Sequence, residues 1–86
     1  MRKYTIVITK SAGKELAKLP VQTILRIREA VSELTDDPRP PTCKKLKGFK
    51  DLYRIRVGDY RVIYSVQDSI LTVEILKIGD RKDIYS

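Results

Sequence analysis

One segment does most to restrict how this chain can fold: Tyr53-Arg54-Ile55-Arg56-Val57-Gly58-Asp59-Tyr60-Arg61-Val62-Ile63-Tyr64. It alternates around a central Gly-Asp. A period of two is a strand period, and a two-residue Gly-Asp loop suits the primed turns that join antiparallel strands. Closing the turn at Gly58-Asp59 pairs Val57 with Tyr60, Arg56 with Arg61, Ile55 with Val62, Arg54 with Ile63 and Tyr53 with Tyr64. One face then carries Tyr53, Ile55, Val57, Tyr60, Val62 and Tyr64, which makes it the core face. The other carries Arg54, Arg56, Arg61 and Ile63 and is expected to face solvent. A slip of one residue would bury the arginines, so the register is well specified.

The flanking sequence supplies the rest of an α+β domain. Tyr4 to Thr9 alternates as a first strand. Thr9 or Ser11 can cap a short helix whose buried stripe is Ala12, Leu16 and Leu19. Pro20 interrupts that pattern, and a second helix begins near Val21 with the stripe Ile24, Ile27, Val31 and Leu34. Asp36-Asp37-Pro38 stops it, because the residue before a proline is pushed out of the helical region. Leu52–Val57, Tyr60–Val66 and Ile70–Ile78 read as strands, with Asp68-Ser69 as a second two-residue turn. The expected order is β-α-α-β-β-β: a mostly antiparallel sheet with a two-helix hairpin packed on one face. The 86 residues fit one domain over 1–86.

Composition narrows the chemistry. Histidine is absent and Cys43 is the only cysteine, which excludes a protein-built zinc site, an internal disulfide and any Ser-His-Asp or Cys-His catalytic unit. No cofactor is expected. Apolar runs are too short for a membrane span or a signal peptide, so a soluble, cytoplasmic protein is expected. The formal net charge is +7, and most of it is local. Lys44, Lys45, Lys47, Lys50, Arg54, Arg56 and Arg61 face only Asp51 and Asp59 within the same stretch. A stripe this basic suits a polyanion.

The hairpin sharpens that reading. Like charges opposite one another on a sheet repel, while arginine suits planar, bidentate contacts to phosphate. A structural alternative is that Glu74 and Asp51 neutralise the stripe; the register carried across the second hairpin puts Glu74 beside Ile63.

Three segments of the chain resemble the RelE/ParE superfamily of bacterial and archaeal toxins, nearer the RelE side. They are Thr9 to Pro20, Lys45-Leu46-Lys47-Gly48, and the hairpin Tyr53 to Tyr64, joined by Gly79-Asp80-Arg81-Lys82-Asp83-Ile84-Tyr85. The resemblance implies a fold like that of small microbial ribonucleases. It also implies a ribosome-dependent endoribonuclease that cuts mRNA in the ribosomal A site, without a metal, and so inhibits translation. A cognate RelB-like antitoxin would wrap the toxin, which would be monomeric when free and hetero-oligomeric with its partner. By position, Arg54, Arg56 and Arg61 match the basic hairpin residues that contact the message, Arg81 the C-terminal catalytic arginine, and Tyr85 the aromatic residue near the end. Lys44, Lys45, Lys47 and Lys50 are expected to bind RNA. The sequence departs from the pattern in two respects. Arginine replaces the lysine that some members carry at the first two hairpin sites, and Asp80 stands where relatives often have His or Lys.

Cleavage by the 2′-hydroxyl needs a proton acceptor, stabilisation of the phosphorane and a donor for the leaving oxygen. Arginine stays protonated and therefore serves as a clamp rather than a base. Tyr85 is a candidate base if the arginines stabilise its phenolate, and Glu74 a weaker one; the sequence leaves acid and base open. The ParE branch of the superfamily targets DNA gyrase instead, and a non-catalytic basic RNA-binding module is a further alternative.

Overall fold

The computed structural model describes residues 3–80. Its order is β1 (Thr5–Ile8), α1 (Lys10–Ala17), α2 (Val21–Glu33), β2 (Lys44–Lys45), β3 (Leu52–Val57), β4 (Tyr60–Gln67), a 3₁₀ turn (Asp68–Ile70) and β5 (Thr72–Asp80). The strands form one sheet in the order β1-β5-β4-β3-β2. Three of the four pairings are antiparallel; β1 runs parallel to β5, which the two intervening helices permit by carrying the chain back across the sheet. The α+β class, the helical pair and the mostly antiparallel sheet are as expected. The added element is β2, a two-residue strand that extends the sheet beyond β3.

Both helices start and stop where local chemistry dictates. Thr9 is the cap of α1: its Oγ1 accepts from the Ala12 N–H at 3.2 Å, satisfying one of the donors that a helix start leaves over. Pro20 precedes α2 with φ −57°, an angle its ring enforces. Their apolar stripes meet the sheet. Ala12, Ile27, Val31 and Leu34 are buried against Ile55, Val62, Tyr64, Val66, Val73, Ile75 and Ile78. Each buried Ile, Leu or Val contributes about 1.5–3 kcal/mol, and this single layer of contact holds the helices to one face.

Two expectations about the second hairpin are corrected. The Asp68-Ser69 connection is a 3₁₀ turn that leaves through Leu71 at φ 47°, a longer link than a two-residue loop. The β4–β5 register shifts between Ile63 and Tyr64. Tyr64 pairs with Ile75 and Ile63 with Lys77, so Leu76 is the extra residue of a bulge. Glu74 therefore sits opposite Ser65, and the neighbour of Ile63 is a lysine. Helix α1 is tied to the strand just beyond the bulge, where Glu15 Oε1 accepts from the Ile78 N–H at 2.9 Å.

Candidate active site

The β3–β4 register is the one the Gly-Asp turn demands: Val57 with Tyr60, Arg56 with Arg61, Ile55 with Val62, Arg54 with Ile63, Tyr53 with Tyr64. Gly58 adopts φ 62°, a conformation open to glycine at little steric cost. On β2, Lys44 pairs with Arg54 and Lys45 with Tyr53. Alternation then places Lys44, Arg54, Arg56 and Arg61 on the face opposite the helices. All four line a concavity of about 460 Å³ whose wall is completed by Pro41 and Thr42. No carboxylate occurs among its described lining residues. The bulge adds to this polarity by putting Lys77 beside Ile63, the cross-strand neighbour of Arg54.

The depth of these cations differs from the sequence expectation. Arg61 is only 4% exposed, Arg54 is half-buried and Arg56 is exposed. Period two assigns a residue to a face, but it says nothing about how far a concave surface and a passing loop enclose it. Arg61 is thus the buried member of the group rather than a solvent-facing residue, and its replacement by alanine would empty a buried site. Chemically, the buried guanidinium is a fixed charge in a lower dielectric, where it acts on an anion more strongly than a surface lysine can. Arg56 also borders a second cavity with Glu33, Asp37 and Thr42, so it stands between a wall whose charged residues are all basic and one that carries carboxylates.

The loop that supplies Pro41 and Thr42 is pinned by a polar network that the sequence reading missed. Tyr64 donates through its hydroxyl to the Pro38 carbonyl at 2.8 Å. Arg39 donates to both carboxylate oxygens of Asp68, at 3.2 and 2.8 Å, and through Nε to the Tyr53 hydroxyl at 2.9 Å. Tyr4 donates to the same Asp68 at 2.6 Å. Asp68, and after it Tyr53, push the Arg39 guanidinium above its already high range. Burial, followed by the nearby Cys43 thiol, raises the Tyr64 hydroxyl well above its usual value near 10. Both groups keep one protonation state across neutral pH, and the loop stays fixed against the end of the sheet. A single Arg within Asp36-Asp37-Pro38-Arg39-Pro40-Pro41 carries no local signal for such a partner, since Asp68 is remote in sequence.

Of the predicted site residues, Lys44, Arg54, Arg56 and Arg61 come together at the concavity. Lys45, Lys47 and Lys50 do not; they line a separate depression around the Leu46–Asp51 loop. Glu74, the weaker candidate base, is half-buried across from Ser65. Arg81 and Tyr85 lie outside the described residues. An apolar groove of about 190 Å³ occupies the other side of the molecule, lined by Ile6, Ile8, Leu16, Ile27 and Val31 next to edge strand β1. No helix among the described residues is long and apolar enough to cross a membrane.

Comparison with known proteins identifies the family and the fold. The chain is similar to the toxin RelG of Mycobacterium tuberculosis, at 34% identity over 86 residues and 95% of each chain. It is similar to the mRNA interferase toxin RelE of Escherichia coli, at 29% identity over 96% of this chain and 90% of that one. Its fold superposes on the crystal structure of the archaeal RelE-RelB complex from Pyrococcus horikoshii with a TM-score of 0.82 and 39% identity, covering 92% of this chain and 96% of that one. Residues 6–85 match the family described as the ParE toxin of the type II toxin-antitoxin system parDE. With the match spanning nearly the whole chain, and with relatives and fold alike drawn from RelE toxins, the protein belongs to the RelE/ParE family of toxins of type II toxin-antitoxin systems.

Proposed function

We propose that this toxin is a ribosome-dependent endoribonuclease that cuts mRNA in the ribosomal A site, with the Lys44–Arg54–Arg56–Arg61 concavity as its phosphate-binding and cleavage site. The observation that carries the reading is the convergence of these four cations, one of them buried, in a single concave surface. Charge builds on the non-bridging phosphate oxygens as the 2′-oxygen attacks. Arg61 supplies a fixed countercharge to that state, and exposed Arg56 closes on the phosphate from the rim. Lys44 and Arg54, directly opposed on β2 and β3, hold the adjoining backbone phosphate. A guanidinium serves as a clamp rather than a proton acceptor, so the 2′-proton passes to another group. Tyr85 is assigned that role and Arg81 stabilisation of the leaving oxygen. Substrate orientation comes from the ribosome, which suits a site built mainly of clamps. A two-metal arrangement plays no part in this scheme.

The reading extends to the partner. The P. horikoshii neighbour was solved as a complex with RelB, and an antitoxin of that kind fits two features of this surface: the apolar groove beside β1 and the basic concavity, which acidic side chains would fill.

An in vitro translation reaction tests the activity. Message cleavage within the A-site codon, unaffected by a chelator that leaves the ribosomes intact, supports the reading. Because the matched family carries the ParE description, the same protein is also incubated with DNA and gyrase. Gyrase-dependent DNA breaks with an intact message would replace the nuclease reading, and the absence of both activities would point to a non-catalytic basic RNA-binding module.

A further inference from the structure

Phe49 is the only phenylalanine of the chain and the only exposed aromatic among the described residues, at 59%. Single exposed apolar residues are ordinary on a protein surface; the neighbourhood of this one is not. Lys45, Lys47 and Lys50 surround it on the Leu46–Asp51 loop, all exposed, and line with it a depression of about 370 Å³. The single acidic side chain in the loop is Asp51. The other large exposed apolar residues, Val7, Ile8, Val21, Leu25 and Ile70, are all aliphatic and belong to β1, α2 and the 3₁₀ turn.

The loop is built rather than loose. The Leu46 N–H donates to the Leu52 carbonyl at 2.9 Å, and the Val66 N–H donates to the Asp51 carbonyl at 3.1 Å. Two left-handed residues, Gly48 at φ 79° and Asp51 at φ 64°, turn the chain so that the tip stands out between these anchors. A fixed base reduces the ordering cost of binding. Its position relative to the concavity follows from alternation along β2: Lys44 faces Arg54 and the concavity, whereas the next residue, Lys45, leads into the loop.

We infer that this loop is a second RNA contact, distinct from the cleavage site, at which Phe49 stacks on an unpaired base while Lys45, Lys47 and Lys50 meet the phosphates on either side. An aromatic ring between cations is the combination that holds single-stranded nucleic acid without reading its sequence. Lysines alone would hold any phosphate chain; the ring adds a requirement for a base. The inference extends the RNA-cleaving reading and assigns a task to a side chain that cleavage chemistry does not use.

Because the chain contains no tryptophan, Phe49→Trp installs a unique fluorophore at the tip. The variant is titrated with a short, 2′-O-methylated single strand, which cannot be cleaved, and with an abasic strand of the same length. Saturable quenching by the first and little by the second is expected. Phe49→Ala should weaken binding of the base-containing strand by about 5- to 150-fold and leave binding of the abasic strand unchanged. Lys47→Gln with Lys50→Gln should weaken both. Equal quenching by the two strands, or a Phe49→Ala affinity within twofold of wild type, would overturn the inference. So would a Phe49→Ala variant that loses affinity only for a RelB-like antitoxin, which would make the loop a protein contact. Since Phe49 is exposed, an unchanged thermal transition is expected for each Phe49 variant. Message cleavage with base-independent quenching would reject this contact alone, whereas base-dependent quenching without cleavage would reject the nuclease reading and retain the contact.

Discussion

Asp68 accepts hydrogen bonds from two side chains of different character, and the structure predicts which matters more. Arg39 has the larger number of bonds: two to the carboxylate and one to the Tyr53 hydroxyl. Tyr4 donates to the same carboxylate at 2.6 Å. Exposure reverses the ranking. The Arg39 and Asp68 side chains are 38% and 52% exposed, so water competes for both, and an exposed ion pair contributes about 0.2–1 kcal/mol. Tyr4 is 9% exposed, and a hydrogen bond from a buried hydroxyl to a charged acceptor contributes about 1.5–3 kcal/mol. Equilibrium unfolding in urea should therefore show Tyr4→Phe losing about 2 kcal/mol and Arg39→Met about 1 kcal/mol or less, at an unchanged denaturant slope. Because both donors share one carboxylate, the double variant should depart from additivity by about 0.5 kcal/mol or more. An Arg39→Met loss equal to or larger than that of Tyr4→Phe would refute the reasoning from exposure.

Two further outcomes follow from named contacts. The raised Tyr64 hydroxyl stays protonated in the fold while the unfolded chain ionises near pH 10. Its contribution is complete below about pH 10 and declines as pH rises toward the folded value, by at most about 1.4 kcal/mol per pH unit. Tyr64→Phe should flatten the alkaline stability profile by that amount, and matching slopes for the two proteins would contradict the assignment. Thr9→Ala removes the oxygen that accepts from Ala12 N–H and should cost about 1 kcal/mol; a thermal midpoint identical to wild type would show that the cap contributes nothing.

The hairpin was legible because a two-residue turn and a period of two leave one register, and the helices because their stripes end at Pro20 and Pro38. The bulge left a trace that rigid alternation overrode: the buried residues of β5 are Val73, Ile75 and Ile78, spaced by two and then by three, with Ile75 and Leu76 adjacent. That break moves Glu74 away from Ile63 and substitutes Lys77. The parallel β1–β5 pairing and the two-residue β2 have no local signature, since the first depends on where the helices return the chain and the second on a loop held elsewhere. The site was legible as a face but not in depth. Arg54, Arg56 and Arg61 share their side of the sheet, yet nothing in the alternation marks Arg61 as buried, and the Pro41-Thr42 side of the concavity comes from a loop that Arg39 ties to the sequence-remote Asp68. Phe49 carries no pattern of its own in the sequence: the lysines of the same loop read as a charge stripe, and only the folded loop makes them the surround of a ring.

The central claim is that the basic concavity performs the cleavage, and Arg56 offers the most direct access to it, being exposed and outside the core. The decisive measurement is the single-turnover cleavage rate of ribosome-bound message by Arg56→Ala, beside wild type and with the thermal transition of both recorded. Loss of one charge-stabilising donor at the reacting phosphate predicts a fall of about 10²–10³-fold with an unchanged transition. A rate within about threefold of wild type, from a protein that remains folded, would contradict the assignment of this concavity as the cleavage site, because a donor at the reacting phosphate is expected to matter far more than that.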